Sequence, residues 1–185
     1  MALKKEEQVW INNLESNDEE LLLKSLGDFA EKGSSALIEP IMNLLLRGEN
    51  DKVSKAAFVL LCNLKDSKAI AQFFALYRQE RYASVKNHLL QIIWNGNFNA
   101  ETEMENLVKT AITGDLQSLF EVHTIVDNLD YVLSEETLLE CISLCQVFLN
   151  QNLIHEKNDM LREILAVFMH QNEHNNDLGF DEEMA

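Results

Sequence analysis

The sequence predicts an all-α chain, arranged as an α-solenoid of about five antiparallel helix pairs. Three observations carry that expectation. Structure breakers are scarce, with 6 glycines and a single proline, Pro40, in 185 residues, too few for a turn-rich β fold. Apolar residues recur at the helical period through nearly every segment. Helical stretches also return at a near-constant interval, as they do when each pair must bury its apolar face against the next.

The elements follow in order. Helical stretches are expected over 3–14, 36–47, 68–79, 101–113 and 135–151, each followed by a second helix beginning near 18, 51, 82, 115 and 157. The second helices are spaced by about 31–33 residues and then by a longer step of about 42. In "NDKVSKAAFVLLCNL" the set Val53, Ala56, Ala57, Leu60, Leu61, Leu64 forms one apolar stripe. Asp18, Asp51 and Asp115 stand where a carboxylate can cap free amides and meet the positive end of the helix dipole. Ser84 and Asn158 or Asp159 occupy looser equivalents of that place. Short polar turns such as "SND", "RGEN", "QER" and "TGD" join the elements. After His170 the apolar pattern stops, so residues 1–171 read as the helical domain and 172–185 as an acidic, flexible C-terminal tail.

The stretch "LIEPIMNLLLRGENDKVSKAAFVLLCNL" resembles a HEAT repeat. Its first helix carries Pro40 and leucines, an Asp-containing turn follows, and its second helix has the form V-x-x-A-A-x-x-L-L. "FALYRQERYASVKNHLLQII" looks like the next repeat, with Val85 and Lys86 where such helices usually show Val-Arg; the later pairs share the spacing alone. The resemblance implies a right-handed superhelix of the armadillo type. The second helices would line a concave face, with Asn87, Gln91, Trp94 and Asn95 of the third pair, and Thr124, Asp127, Asn128, Asp130 and Tyr131 of the fourth, pointing into a groove. Trp and Tyr suit binding because one rigid ring buries a large area.

Charge narrows the partners. The net charge is −16, but residues 1–86 hold 12 Lys/Arg against 13 Asp/Glu, while residues 87–185 hold 3 against 18. A surface this acidic repels phosphate backbones, so no nucleic acid is expected as a ligand. It would instead select a basic protein and speed its approach. The N-terminal "MALKKEEQVWINNL" lacks the apolar core of a signal peptide, and runs such as "AAFVLLC" are too short to span a bilayer. Three cysteines inside apolar helical stretches, Cys62, Cys141 and Cys145, fit buried thiols in a reducing compartment. The expectation is a cytoplasmic protein with no membrane partner.

Few residues invite a chemical reading. "HQNEH" places His170, Glu173 and His174 on one helix face, in the H-x-x-E-H order of a zinc peptidase motif. A working centre also needs a third protein ligand and a cleft, and only 11 residues follow His174. No metal is therefore expected. His123 reads as a core-edge histidine tuned by Glu121 or Asp127. No phosphate-binding, dinucleotide-binding or nucleophile-elbow motif is present. The expected function is a non-enzymatic protein-interaction scaffold, with no catalytic residue and no cofactor, presenting an acidic concave groove to a basic protein or peptide. A helical small-molecule- or metal-handling protein, lyase-like or an adaptor enzyme subunit, stands as the alternative.

Overall fold

The computed structural model describes residues 5–32, 37–48, 50–64, 67–151 and 155–182, and they divide into two compact units, Met1–Asn97 and Phe98–Ala185. Every regular element among the described residues is helical. No helix among them is long and apolar enough to cross a membrane.

Unit 1 contains α1 (Lys5–Leu14), α2 (Glu19–Lys32), α3 (Ile38–Arg47), α4 (Asp51–Cys62), α5 (Ser67–Tyr77), a 3₁₀ turn (Glu80–Val85) and α6 (Lys86–Asn95). The helices touch within the pairs α1–α2, α3–α4 and α5–α6, and so do alternate helices: α1 with α3, α3 with α5, α2 with α4, and α4 with α6. The expected stripe of α4 is buried at Val53, Ala57, Leu60 and Leu61, with Ala56 and Leu64 half-buried at its margins. Tyr82 has no exposed surface, and its hydroxyl donates to Asn43 Oδ1 at 2.9 Å. That bond satisfies a polar atom which would otherwise be costly inside the core.

Ties between successive pairs hold unit 1 together. Arg47 donates to the Leu14 carbonyl at 2.8 Å, occupying an acceptor at the end of α1 that has no partner within its own helix. Asn50 Nδ2 and Lys52 Nζ reach the two carboxylate oxygens of Glu19 at 2.7 and 3.2 Å. Gly48 ends α3 in the left-handed region at φ 62°, and its amide returns to the Leu44 carbonyl at 3.2 Å.

Unit 2 contains a 3₁₀ turn (Glu101–Glu103), α7 (Met104–Thr113), α8 (Leu116–Asp127), α9 (Glu135–Gln151) and α10 (His155–Glu182). Again α7 touches α8 and α9, and α10 touches α8 and α9. Fully buried Leu107, Leu119, Val122, Leu138, Leu161, Ile164 and Phe168 form its centre. Between α7 and α8, a side chain at Gly114 would stand 2.6 Å from the Thr110 carbonyl oxygen and 2.9 Å from Ser118 Cβ, so only glycine fits the turn.

The caps differ in detail from expectation. Asp18 accepts from the amides of Glu20 and Leu21 at 2.9 and 3.1 Å, and Asp115 from Ser118 at 2.7 Å, as the sequence suggests. At α4, however, the cap is Asn50, which accepts from Lys52 and Val53, and Asp51 is the first helical residue. Ser84 lies inside the 3₁₀ turn, and α6 starts from Val85 with no side-chain cap. Asn158 and Asp159 lie within α10, which already begins at His155. Nor does the backbone break after residue 171. The helix runs through the expected tail to Glu182, and Asn175 donates to the Leu133 carbonyl at 3.3 Å. Residues 183–185 lie outside the described residues.

The Asp115 cap gives a pH test. The hydrogen bond from the Ser118 amide holds the Asp115 carboxyl below its ordinary value of 3.8. A depressed folded value means the contribution is complete above 3.8 and is lost as pH falls through the lower folded value. Asp115→Ala is expected to lower stability by about 1 kcal/mol at pH 7. The gap between the denaturant midpoints of the two proteins should narrow as pH falls below 3.8; a gap that persists undiminished in acid would rule out the ionised cap as its source.

Candidate functional site

The charge imbalance follows the division between the units. Residues 1–97 carry 12 Lys/Arg and 13 Asp/Glu, and residues 98–185 carry 3 and 18, a net charge of −15 on unit 2. Two of those three basic residues, Lys109 and Arg162, pair with Glu105 and Asp159 on their own helices. The third, Lys157, is buried, with its ammonium donating to the carbonyls of Ala111 at 3.2 Å, Ile112 at 2.9 Å and Gly114. The positive groups of unit 2 are thus engaged internally, while Asp127, Asp130, Glu135, Glu136, Glu140, Glu156 and Glu173 are exposed.

Helix α8 presents the most distinctive surface. Ser118, Leu119, Val122, Ile125 and Val126 form its buried stripe. Leu116 and Phe120 lie off that stripe, about half exposed at 49% and 51%. Four residues apart, they are neighbours on the helix surface, and Thr124 and Asp127 continue the same line. Beside them His123 Nε2 lies 2.9 Å from Glu163 Oε2 of α10. The partner of His123 is therefore Glu163. Glu121, one of the two acids expected beside it, is instead buried and accepts from Gln117. Phe120 and Leu116 escaped the sequence reading. Once Leu119, Val122 and Ile125 are assigned to the core, Phe120 falls about 100° from Leu119 and roughly 140–160° from the other two around the helix, and that offset was the available signal.

The other expected groove residues divide between the units. In unit 1, Asn87, Gln91 and Trp94 are half-buried, and Asn95 is exposed with its Nδ2 donating to the Gln91 carbonyl at 2.8 Å. In unit 2, Thr124 is half-buried with its hydroxyl donating to the Phe120 carbonyl at 2.9 Å, and Asn128 Nδ2 donates to the Thr124 carbonyl at 2.8 Å. Asn95, Thr124 and Asn128 thus use donors to satisfy carbonyls of their own helices. Asp127 and Asp130 are exposed. Tyr131 has a structural task, since its hydroxyl accepts from the Ala100 amide at 2.7 Å and burial raises its pKa.

Burial pushes the Cys62 thiol up to about 11 and those of Cys141 and Cys145 to about 12, leaving scarcely any thiolate at neutral pH. The rings of His170 and His174 pack edge-on, with centroids 4.4 Å apart. Among the described residues no group of three or more His, Cys, Asp or Glu could hold a metal ion. No family model, no curated protein and no solved structure matches the chain.

Proposed function

We propose that the chain is a non-enzymatic protein-interaction module in which unit 2 offers an acidic surface, striped by Leu116 and Phe120, to a basic partner. The observation that carries this reading is the coincidence of net charge −15 with two large apolar side chains side by side on α8. An exposed apolar pair on its own is ordinary. Set among acids that far outnumber the three cations of unit 2, each of which already has a partner within the unit, it suits an amphipathic basic segment: the rings and methyls supply contact area, and the carboxylates supply orientation and rate.

On the same reading each unit is a run of HEAT-like solenoid with the right-handed sense expected from the sequence. Two features support it. Contacts between alternate helices recur in both units. Ties between residues 31 to 33 apart also recur, at Arg47–Leu14, Asn50–Glu19 and Lys52–Glu19 in unit 1 and at Tyr131–Ala100 and Ser134–Glu101 in unit 2. Stacked repeats bring equivalent positions together at one repeat length. A cytoplasmic location and indifference to nucleic acid belong to the same proposal, supported by three cysteines that form no disulfide and by the acidic charge.

The test is co-purification from the cells of origin, followed by titration of the recovered partner. The expected partner is basic, and its affinity falls about tenfold or more between about 0.05 M and about 0.5 M salt. An affinity that is flat over this range, or an acidic partner, defeats the proposal.

A further inference from the structure

Phe168 is the last buried apolar side chain of α10 among the described residues, yet the helix continues to Glu182. The continuation includes Asn172, Asn175, Asn176 and Gly179, all poor helix formers. Its first turn is held by polar tethers. Gln171 Oε1 accepts from the Leu133 amide at 3.2 Å, and Asn175 Nδ2 donates to the Leu133 carbonyl at 3.3 Å. A helical turn that rests on a few exchangeable hydrogen bonds, with no apolar face, opens readily.

His170 and His174 each stand one place before a tethering residue. Four residues apart, they lie about 40° from each other around the helix. Both are exposed, and among the described residues neither enters an ion pair. Their ring centroids are 4.4 Å apart with 61° between the planes. A zinc-class ion binds imidazole nitrogen at about 2.0–2.1 Å, which sets two rings of one tetrahedral shell about 5 Å apart between centroids. Chelation therefore needs a side-chain adjustment of less than about 1 Å and no change of backbone. Glu173 lies about 60° to the other side of His170, so the pair is a two-ligand site whose remaining positions go to water. A peptidase centre would need a third protein ligand and a cleft; a clip across one helical turn needs neither.

Charge and ligand type narrow the ion. The net charge of −15 on unit 2 draws cations to its surface. Imidazole nitrogen then discriminates among them, because it suits zinc, nickel and copper while calcium and magnesium take oxygen. We propose that His170 and His174 form a two-imidazole site for a divalent cation of the zinc class, and that filling it locks the turn of α10 that docks on Leu133. This inference makes no use of the Leu116–Phe120 surface, and its failure leaves the basic-partner reading untouched.

The probe is Zn²⁺ itself, titrated into the full chain in a non-chelating buffer and followed by calorimetry. Saturable binding is expected with a Kd of about 100 µM or tighter. His170→Ala and His174→Ala should each weaken it about tenfold or more, since either leaves a single imidazole. His88→Ala removes a histidine of unit 1 and should leave the affinity unchanged. Ca²⁺ should not compete. Hydrogen exchange then reads the consequence for the helix. The amides of residues 174–178 have the carbonyls of residues 170–174 as their helical acceptors. With Zn²⁺ at ten times its Kd, their exchange through opening of this turn should slow about tenfold, while the amides of α7 stay as they were. The proposal is overturned if no saturable binding appears below about 1 mM, or if either alanine variant at position 170 or 174 binds as tightly as wild type. It is equally overturned if Zn²⁺ binds but leaves exchange at residues 174–178 unslowed.

Discussion

Lys157→Met is expected to destabilise unit 2 by about 3 kcal/mol. The side chain is 5% exposed, and its ammonium sits at the C-terminal end of α7, donating to the carbonyls of Ala111, Ile112 and Gly114. Those acceptors belong to the last turn of a helix and the residue just beyond it, where no intrahelical donor is available and the dipole is negative. Methionine fills a similar volume without a donor, so the loss falls on the hydrogen bonds rather than on packing. Burial lowers the pKa of the ammonium, and the Asp115 carboxylate nearby opposes that shift. The choice of reporter matters, because both tryptophans, Trp10 and Trp94, lie in unit 1. Cys141 and Cys145 lie in unit 2, fully buried and with thiols pushed up to about 12, so they react with iodoacetamide only when the unit opens. A loss of 3 kcal/mol corresponds to alkylation of these two thiols about a hundredfold faster under native conditions, resolved by mass spectrometry. Alkylation at the wild-type rate would mean that water replaces the ammonium at the end of α7 without cost.

This residue also shows what sequence reading missed. Between Lys109 and Lys157 the chain has no Lys or Arg, and the scarcity was legible as surface acidity. That Lys157 is spent on α7 was not legible, because its acceptors lie 43 to 46 residues away and are backbone atoms with no side-chain signature. The helices among the described residues could be placed from apolar period and polar turns, since both are local. Caps were legible where an aspartate stood alone before an apolar run, as at Asp18 and Asp115. At "ENDK" two adjacent residues compete for one position, and the asparagine takes it. Tyr131 looked like a binding anchor because an exposed tyrosine and one hydrogen-bonded to a distant amide look the same in one dimension. The end of the periodic pattern near His170 was read as the end of order, yet Gln171 and Asn175 hold the Leu133 backbone with polar groups that carry no apolar period. The candidate site was only partly legible: Thr124, Asp127 and Asn128 lie on the same helix as Leu116 and Phe120, but these two side chains, with most exposed apolar surface on it, were passed over.

Those two side chains carry the second large effect. The double variant Leu116→Ser, Phe120→Ser is expected to leave the stability of unit 2 within about 0.5 kcal/mol of wild type. Each side chain is already half in water, and neither belongs to the buried stripe of Leu119, Val122, Ile125 and Val126. A truncation inside that stripe would cost several times more, because it leaves a cavity that the surrounding helices cannot fill. Binding should respond in the opposite way. If a basic amphipathic segment lies along α8, Phe120 and Leu116 are the apolar anchors at the contact, and removing anchors of this kind costs about 2 kcal/mol or more, roughly thirtyfold in Kd. Asp127→Asn, by contrast, should act mainly on the association rate and on the salt dependence, since an exposed carboxylate steers more than it holds. Measured with the partner recovered by co-purification, the two variants therefore separate along two axes: the double serine variant raises the dissociation rate at every salt concentration, and the asparagine variant slows association chiefly at low salt. A double serine variant that binds with wild-type affinity would place the contact elsewhere on unit 2, and the exposed Leu139 and Val147 of α9, at 50% and 54%, would become the next surface to change.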